Sequence, residues 1–184
     1  MDEAQNRYFD ALYEVARAVN SSLNREGVLA TIVAAAATAT GAKACSLLLL
    51  DAEKKKLVHS ADHGLSEEYL SKGEVMAERS LADALKGETV VVSDVSTDPR
   101  MQYPAEAMVE GIRSILCVPL MSRDHVIGQM RTYHAEQQEF SADTKRLLHA
   151  VASLSGIAIE NSKIHDSLKR AHDACLRELW HWQP

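Results

Sequence analysis

The sequence predicts an α+β domain in which helices at both ends of the chain flank a strand-rich middle. Three observations support this architecture. Apolar residues repeat at helical spacing near both termini. Short apolar runs of strand length, separated by turn formers, occupy the middle. Hydrophobic residues make up 46% of the 184 residues, which is enough for a sizeable core, so one domain with helical extensions is expected.

Two helices are predicted at the front of the chain. The first covers about residues 4–23, where apolar residues recur at intervals of four and three. The second covers residues 25–39, a segment rich in alanine, with Asn24 as its N-cap and Gly41 at its end. The four-three positions of the first helix are Tyr8, Leu12, Val15, Val19 and Ser22.

Five strands are predicted in the middle of the chain. The first, residues 44–50, is a short apolar run whose length favours a strand covered on both faces. A brief lysine-rich turn separates it from the second, so these two should pair antiparallel. Pro119 lies inside the fourth strand, which indicates an edge position or a bulge. The five strands span residues 44–50, 57–61, 89–92, 114–120 and 126–134.

Three short helices are predicted between the strands. Ser66 is the expected N-cap of the first, and Ser80 with Asp83 resembles a capping box for the second. Glycines follow the second and third helices, as expected at helix ends. The three helices span residues 67–72, 81–86 and 105–110.

A long helix is predicted at the end of the chain, capped by Ser141. Its four-three spacing runs unbroken from Leu147 to Trp182, far longer than a core of this size needs. The first half is apolar enough to pack on the folded body, whereas polar residues in the second half suit a helix that leaves it. We therefore assign residues 1–166 to a folded domain and 167–184 to a helical extension. The spaced positions are Leu147, Val151, Leu154, Ala158, Asn161, His165, Leu168, His172, Cys175, Leu179 and Trp182.

Bulk properties argue against several classes of protein. A formal net charge of −6 argues against nucleic acid as a partner. No apolar run is long enough to span a membrane, and no secretory signal is recognisable at the N-terminus, so a cytoplasmic location is expected. Three widely spaced cysteines then indicate reduced thiols. We find no motif of a catalytic site, a phosphate-binding loop or a metal site, so no catalytic residue, metal or cofactor is predicted.

Several segments of the chain resemble those of a GAF domain in their amino-acid sequence and in their order along the chain, and the resemblance covers roughly residues 5–166. It implies a GAF-like, profilin-like antiparallel sheet of five or six strands. Long N- and C-terminal helices would pack on one face, and short helices and loops on the other. The segments that carry the resemblance are residues 42–51, 80–88, 92–100, 111–120, 126–131, 139–141 and 152–162.

A ligand pocket between the sheet and the short helices is a further implication of the resemblance. On the last strand, Gln129, Arg131 and Tyr133 share one face. An arginine in a covered strand is costly unless it is paired, so it should face a polar pocket, an internal carboxylate or solvent. The candidate ligand-binding residues are Ser46, His59, Tyr103, Arg113, Ser114, Cys117, Gln129, Arg131 and Tyr133.

The resemblance implies a small-molecule-sensing regulatory domain of a bacterial signal-transduction protein. Ligand state would pass through a dimeric C-terminal helix to an output domain such as a histidine kinase, in a longer protein or in trans. A ligand-free dimerisation scaffold is one alternative. A free methionine-sulfoxide reductase is another, although its grouped cysteines are missing here. A homodimer is expected through Tyr8, Leu12, Val15, Val19, Leu154, Asn161, His165 and Leu168.

Overall fold

The computed structural model describes residues 3–21 and 25–180. Helices lie at both ends of the described chain, and strands with short helical insertions lie between them, as predicted. The elements are α1 (Glu3–Ser21), α2 (Arg25–Thr40), β1 (Ala44–Leu50), β2 (Lys56–His63), α3 (Glu67–Leu70), β3 (Val75–Met76), a 3₁₀ helix (Ala82–Lys86), β4 (Val90–Val92), α4 (Pro104–Val109), β5 (Ser114–Ser122), β6 (His125–His134) and α5 (Ala142–Trp180).

The strands form one six-stranded antiparallel sheet in the order β3-β2-β1-β6-β5-β4. The predicted antiparallel sheet and the β1–β2 pair are confirmed. The sixth strand, β3, has only two residues and was not predicted. Pro119 lies where β5 extends beyond β4, since β4 pairs only with residues 115–117. Its missing N–H therefore removes no ladder hydrogen bond on that side, and a register shift follows at Leu120/Met121.

The insertions differ in part from the prediction. Ser66 caps α3 as expected, because its Oγ accepts the Tyr69 N–H at 3.1 Å. The capping box of Ser80 and Asp83 was wrong: the 3₁₀ helix follows Leu81, which adopts a left-handed conformation and provides no side-chain cap. The predicted ends of α1 at residue 23 and the Asn24 cap lie outside the described residues.

Helices α1, α2 and α5 cover one face of the sheet. The core between them and the sheet contains Val15, Ile32 and Leu148, all fully buried. The hydroxyl of Tyr8 lies 3.0 Å from that of Thr144, which joins α1 to the start of α5. Residues 112 and 115, with neighbours from the short helices, form a second apolar cluster on the opposite face.

Helix α5 contains 39 residues and is therefore about 58 Å long. The Oγ of Ser141 accepts the Thr144 N–H at 3.1 Å, which confirms the predicted cap. The helix approaches β5 closely at Gly156, where an added Cβ would lie 1.9 Å from the carbonyl oxygen of Met121. Residues 163–177 are all exposed, so the second half of the helix leaves the body.

None of the helices in the described ranges 3–21 and 25–180 is long and apolar enough to cross a membrane.

Candidate functional site

A row of buried polar side chains crosses the sheet on the face away from the three long helices. Alternation along β6 places Gln129, Arg131 and Tyr133 on this face. The register sets Ser46 of β1 and Cys117 of β5 on either side of Arg131. All five side chains are buried, so the row is an interior feature of the domain, and we call it the polar row.

The polar row holds the segment that leads into the 3₁₀ helix. The Arg131 guanidinium donates from Nη2 to the Ser80 carbonyl oxygen at 3.0 Å, and from Nε to Gln129 Oε1 at 3.0 Å. Gln129 Nε2 in turn donates to the Leu81 carbonyl oxygen at 3.0 Å. The left-handed conformation of Leu81, φ 54°, brings two successive carbonyl groups within reach of the row. The Cys117 thiol also donates to Gln129 Oε1, at 3.5 Å.

Two tyrosines extend the polar row towards α3. Tyr133 and Ser46 join their hydroxyls at 2.7 Å. The Tyr69 ring packs edge-on against Tyr133, with ring centroids 6.1 Å apart. Burial raises the pKa of both phenols, so both stay protonated at neutral pH.

Lys72 closes the site on the side of α3. Its Nζ lies 3.8 Å from the Tyr69 ring centroid and donates to the Tyr69 carbonyl oxygen at 2.9 Å. The Tyr103 ring lies 5.9 Å from the same nitrogen, and its hydroxyl donates to the Glu74 carbonyl oxygen at 2.8 Å. Gly73 permits this approach, because a Cβ there would lie 2.7 Å from the Tyr103 hydroxyl oxygen. Burial, with the positive charge of Arg131, lowers the pKa of Lys72 to about 8.

His59 of β2 lies at the edge of the same face, in register with Leu48 of β1. Both of its ring nitrogens are buried, and neither has a hydrogen-bond partner among the described residues. Burial, followed by the positive charges of Lys72 and Arg131, lowers the pKa of His59 to about 4. A neutral imidazole with two nitrogens that lack a protein partner is uncommon in a folded interior.

The remaining candidates from the sequence lie elsewhere. Arg113 is exposed, and its Nη1 donates to the Met108 carbonyl oxygen at 3.3 Å. Ser114 is buried but donates to the Glu136 carbonyl oxygen at 2.7 Å, which ties β5 to the segment before α5. Their contacts stabilise chain turns. Conversely, sequence analysis missed Tyr69, Lys72 and the Ser80 carbonyl, since no local pattern distinguishes them.

Grooves lie among the three long helices, on the other side of the sheet from the polar row. One, of about 480 Å³, lies between α1, α2 and α5 and is lined in part by Val19, Asn161 and His165. Another, of about 540 Å³, is lined in part by Tyr8 and Leu12. Exposed apolar side chains are present on both helices. They are Phe9, Tyr13, Ile157, Ile164, Leu168 and Leu176.

The structure corrects one residue of the expected dimer interface. Val15 has no exposed surface, because α1 turns it into the core formed with α2 and α5. It is unavailable to a second copy of the chain. Tyr8, Leu12, Val19 and Leu154 are partly buried, and Asn161, His165 and Leu168 are exposed.

Nucleophilic and metal chemistry have little support among the described residues. Within those ranges no group of three or more His, Cys, Asp or Glu side chains is arranged to hold a metal ion. Cys45 and Cys117 are buried free thiols. Burial raises the pKa of Cys117 to about 11, and it raises that of Cys45 further. Both thiols are therefore protonated and poorly nucleophilic at neutral pH.

Comparison with curated proteins finds relatives that are much longer than this chain. One is the methyl sulfide methyltransferase-associated sensor of Methanosarcina acetivorans, 28% identical over 137 residues, which covers 70% of this chain and 14% of the relative. Another is the dual 3′,5′-cyclic-AMP and -GMP phosphodiesterase 11A of Takifugu rubripes, 30% identical over 111 residues, covering 58% and 12%. The chain thus spans about a seventh or less of these relatives' length.

Solved structures with the same fold include a GAF domain from a phosphoenolpyruvate-protein phosphotransferase of Coxiella burnetii, with a TM-score of 0.79 and 20% identity, covering 90% of this chain and 99% of that one. The free methionine-R-sulfoxide reductase of Neisseria meningitidis has a TM-score of 0.74 and 23% identity, covering 90% and 95%. At these identities the likeness concerns the fold. The family model for the GAF domain matches residues 22–160, and the chain therefore belongs to the GAF domain family.

Proposed function

We propose that this chain is a small-molecule-sensing regulatory domain of a bacterial signal-transduction protein. The observation that carries the proposal is that the β5–β6 strand pair contacts both the polar row, where a ligand would bind, and α5, which would transmit the signal. On one face the pair bears Cys117 and Arg131 of the polar row. At its far end the Met121 carbonyl oxygen lies against Gly156 of α5. A molecule bound at the polar row therefore acts on the strands that seat the long helix.

The signal would leave through α5. The helix is continuous from its buried first half to its exposed second half, so a rotation or shift at the sheet is carried rigidly along it. For a ligand to bias the helix, it must bind one arrangement of sheet and helix more tightly than the other. The described part of α5 extends about 27 Å beyond residue 162, and an output domain in a longer protein, or in trans, would receive the change.

In this proposal the chain transmits the signal as a homodimer. Ile157, Ile164 and Leu168 lie at intervals of seven and four on α5, and each is roughly half exposed or more. Phe9 and Tyr13 of α1 are 66% and 67% exposed. Apolar side chains at this spacing form a strip that a second copy of the helix can cover. The first half of the four-three series, from Leu147, packs in the chain's own core instead.

Sedimentation velocity tests the dimer. Leu168→Glu should convert the dimer to a monomer, because it places a charge in the apolar strip. Arg170→Glu is the matched control, since residue 170 is two positions further on, on the opposite side of the same helix, and is exposed. A wild-type chain that sediments as a monomer, or equal behaviour of both variants, would contradict the dimer.

A ligand-free dimerisation scaffold is the second candidate. It is favoured by one observation: Arg131 and Gln129 already satisfy each other and two main-chain carbonyls, so the row holds together without a ligand. Native mass spectrometry of freshly purified protein separates the two functions. A retained small molecule supports sensing, whereas a bare chain that binds nothing from a metabolite library supports the scaffold.

A further inference from the structure

Arg131 is a buried cation without a buried anion to balance it. Only 6% of the residue is exposed, and its hydrogen bonds run to Gln129 Oε1 and to the Ser80 carbonyl oxygen, both neutral acceptors. Among the described residues no carboxylate lies within ion-pairing distance of its guanidinium, and the neighbouring Cys117 thiol is a further neutral group. A buried charge that lacks a counter-charge is costly, so proteins seldom keep one without a use.

Two further basic groups lie around Arg131. Lys72 approaches from α3, with its ammonium group on the Tyr69 ring and no carboxylate partner among the described ion pairs. His59 lies on β2 with both ring nitrogens unpartnered. Their depressed pKa values reflect burial together with mutual positive charge, since Arg131 acts on both and Lys72 acts on His59. Three basic groups thus share this part of the interior, and none of them is in an ion pair within the described ranges.

Nearby carboxylates act on Lys72 through space but form no ion pair with it. Glu110 is held by the Lys43 ammonium at 3.0 Å and by Ser66, at the outer side of α3. Glu106 is exposed on α4, where it acts on Lys72 only through space. Asp62 is the register partner of Ser46, yet it forms no ion pair with Arg131 within the described ranges. The three basic groups therefore have donors available for an added anion.

We propose that the polar row and Lys72 bind a small organic anion, a carboxylate or a phosphate ester, held by the Arg131 guanidinium and enclosed by Lys72 and His59. This inference rests on the proposed sensing function and specifies its ligand. Nε and Nη2 already donate to neutral acceptors, so the anion would meet the remaining donors of the guanidinium through charge-assisted hydrogen bonds, which suit a carboxylate or phosphate. Lys72 would exchange the Tyr69 ring for the anion, and this exchange would move α3 and residues 71–76.

Thermal unfolding with two simple probes tests the inference. Sodium phosphate and sodium succinate are each compared with sodium chloride at equal ionic strength, so the two arms distinguish phosphate from carboxylate chemistry. At ten times its dissociation constant, a bound probe should raise the Tm by roughly 3–6 °C. Arg131→Met and Lys72→Met should abolish the rise, whereas Arg113→Met, which removes an exposed arginine outside the row, should retain it.

Arg131→Met also has a readout without any probe. Because the substitution leaves the Ser80 carbonyl oxygen and Gln129 Oε1 without their donor, its Tm in sodium chloride should fall below that of the wild type, and this loss is measured apart from the response to the probes. No rise with either probe, or an equal rise in Arg131→Met, would overturn the inference. Native mass spectrometry separates the two proposals: a retained neutral or cationic molecule would refute the anion while leaving the sensing function intact.

Discussion

Gly156→Ala tests whether α5 owes its position to close contact with the sheet. An alanine Cβ would lie 1.9 Å from the Met121 carbonyl oxygen. Real Cβ atoms essentially never lie closer than 3.0 Å to such an atom, so the distance is too short by more than an ångström. The neighbour is main chain of β5, so the clash is relieved only if the helix or the strand moves. Overpacking of this kind typically costs about 1–3 kcal/mol.

Helix propensity works in the opposite direction. Replacing glycine by alanine inside a helix favours the helix by about 1 kcal/mol. With a backbone clash at the severe end of the range, we expect a net loss of about 2 kcal/mol in the free energy of unfolding. For a domain of this size, that corresponds to a Tm lower by roughly 4–8 °C.

Thermal unfolding followed by circular dichroism, together with urea titration, measures the loss. Ser153→Ala, on the exposed side of the same helix one turn earlier, is the control and should change the stability by about 0.5 kcal/mol or less. A Gly156→Ala variant as stable as the wild type, or more stable, would refute the reasoning, because the helix would then tolerate displacement from the strand.

Three further outcomes are expected. Glu110→Ala should lower the free energy of unfolding, measured by urea titration, by about 2 kcal/mol, because it removes the carboxylate that Ser66 and Lys43 contact. The control, Glu106→Ala at an exposed position, should leave the stability nearly unchanged, and equal losses in the two variants would contradict this. An Ellman's-type thiol assay of the native chain should label one cysteine, the exposed Cys175, and all three after denaturation; labelling of a second thiol in the native state would contradict the burial. Burial lowers the pKa of His134, like that of His59, from 6.5 to about 4. As the pH drops from 6.5 towards 4, these histidines take up protons in the unfolded state before they do so in the folded state, so the free energy of unfolding should fall. Urea titrations across that window measure the fall, and a flat profile would be inconsistent with neutral buried imidazoles.

The predicted helices and strands were largely confirmed, because the spacing of apolar residues within each element shows which of its faces is buried. Alternation along β6 is by itself sufficient to place Gln129, Arg131 and Tyr133 on one face of the sheet. The Ser66 and Ser141 caps were likewise confirmed, since a cap depends on residues three positions apart.

The errors arose where a contact with a distant segment overrides the local pattern. The Ser80–Asp83 sequence favours a capped α-helix, yet the carbonyl groups of Ser80 and Leu81 are drawn to β6, and Leu81 adopts a left-handed conformation. Strand β3 is too short to have a period of its own and exists because Lys56 and Leu57 offer it an edge.

The amino-acid order alone was sufficient for the family, the antiparallel sheet, the long exit helix and the arginine in the covered strand. Folding was needed to bring Lys72 and Tyr69 to that arginine, to leave the His59 nitrogens without partners and to bury Val15. The reason is physical. Periodicity and caps depend on a few neighbouring residues, whereas the charge balance of an interior depends on side chains that the register brings together from across the chain.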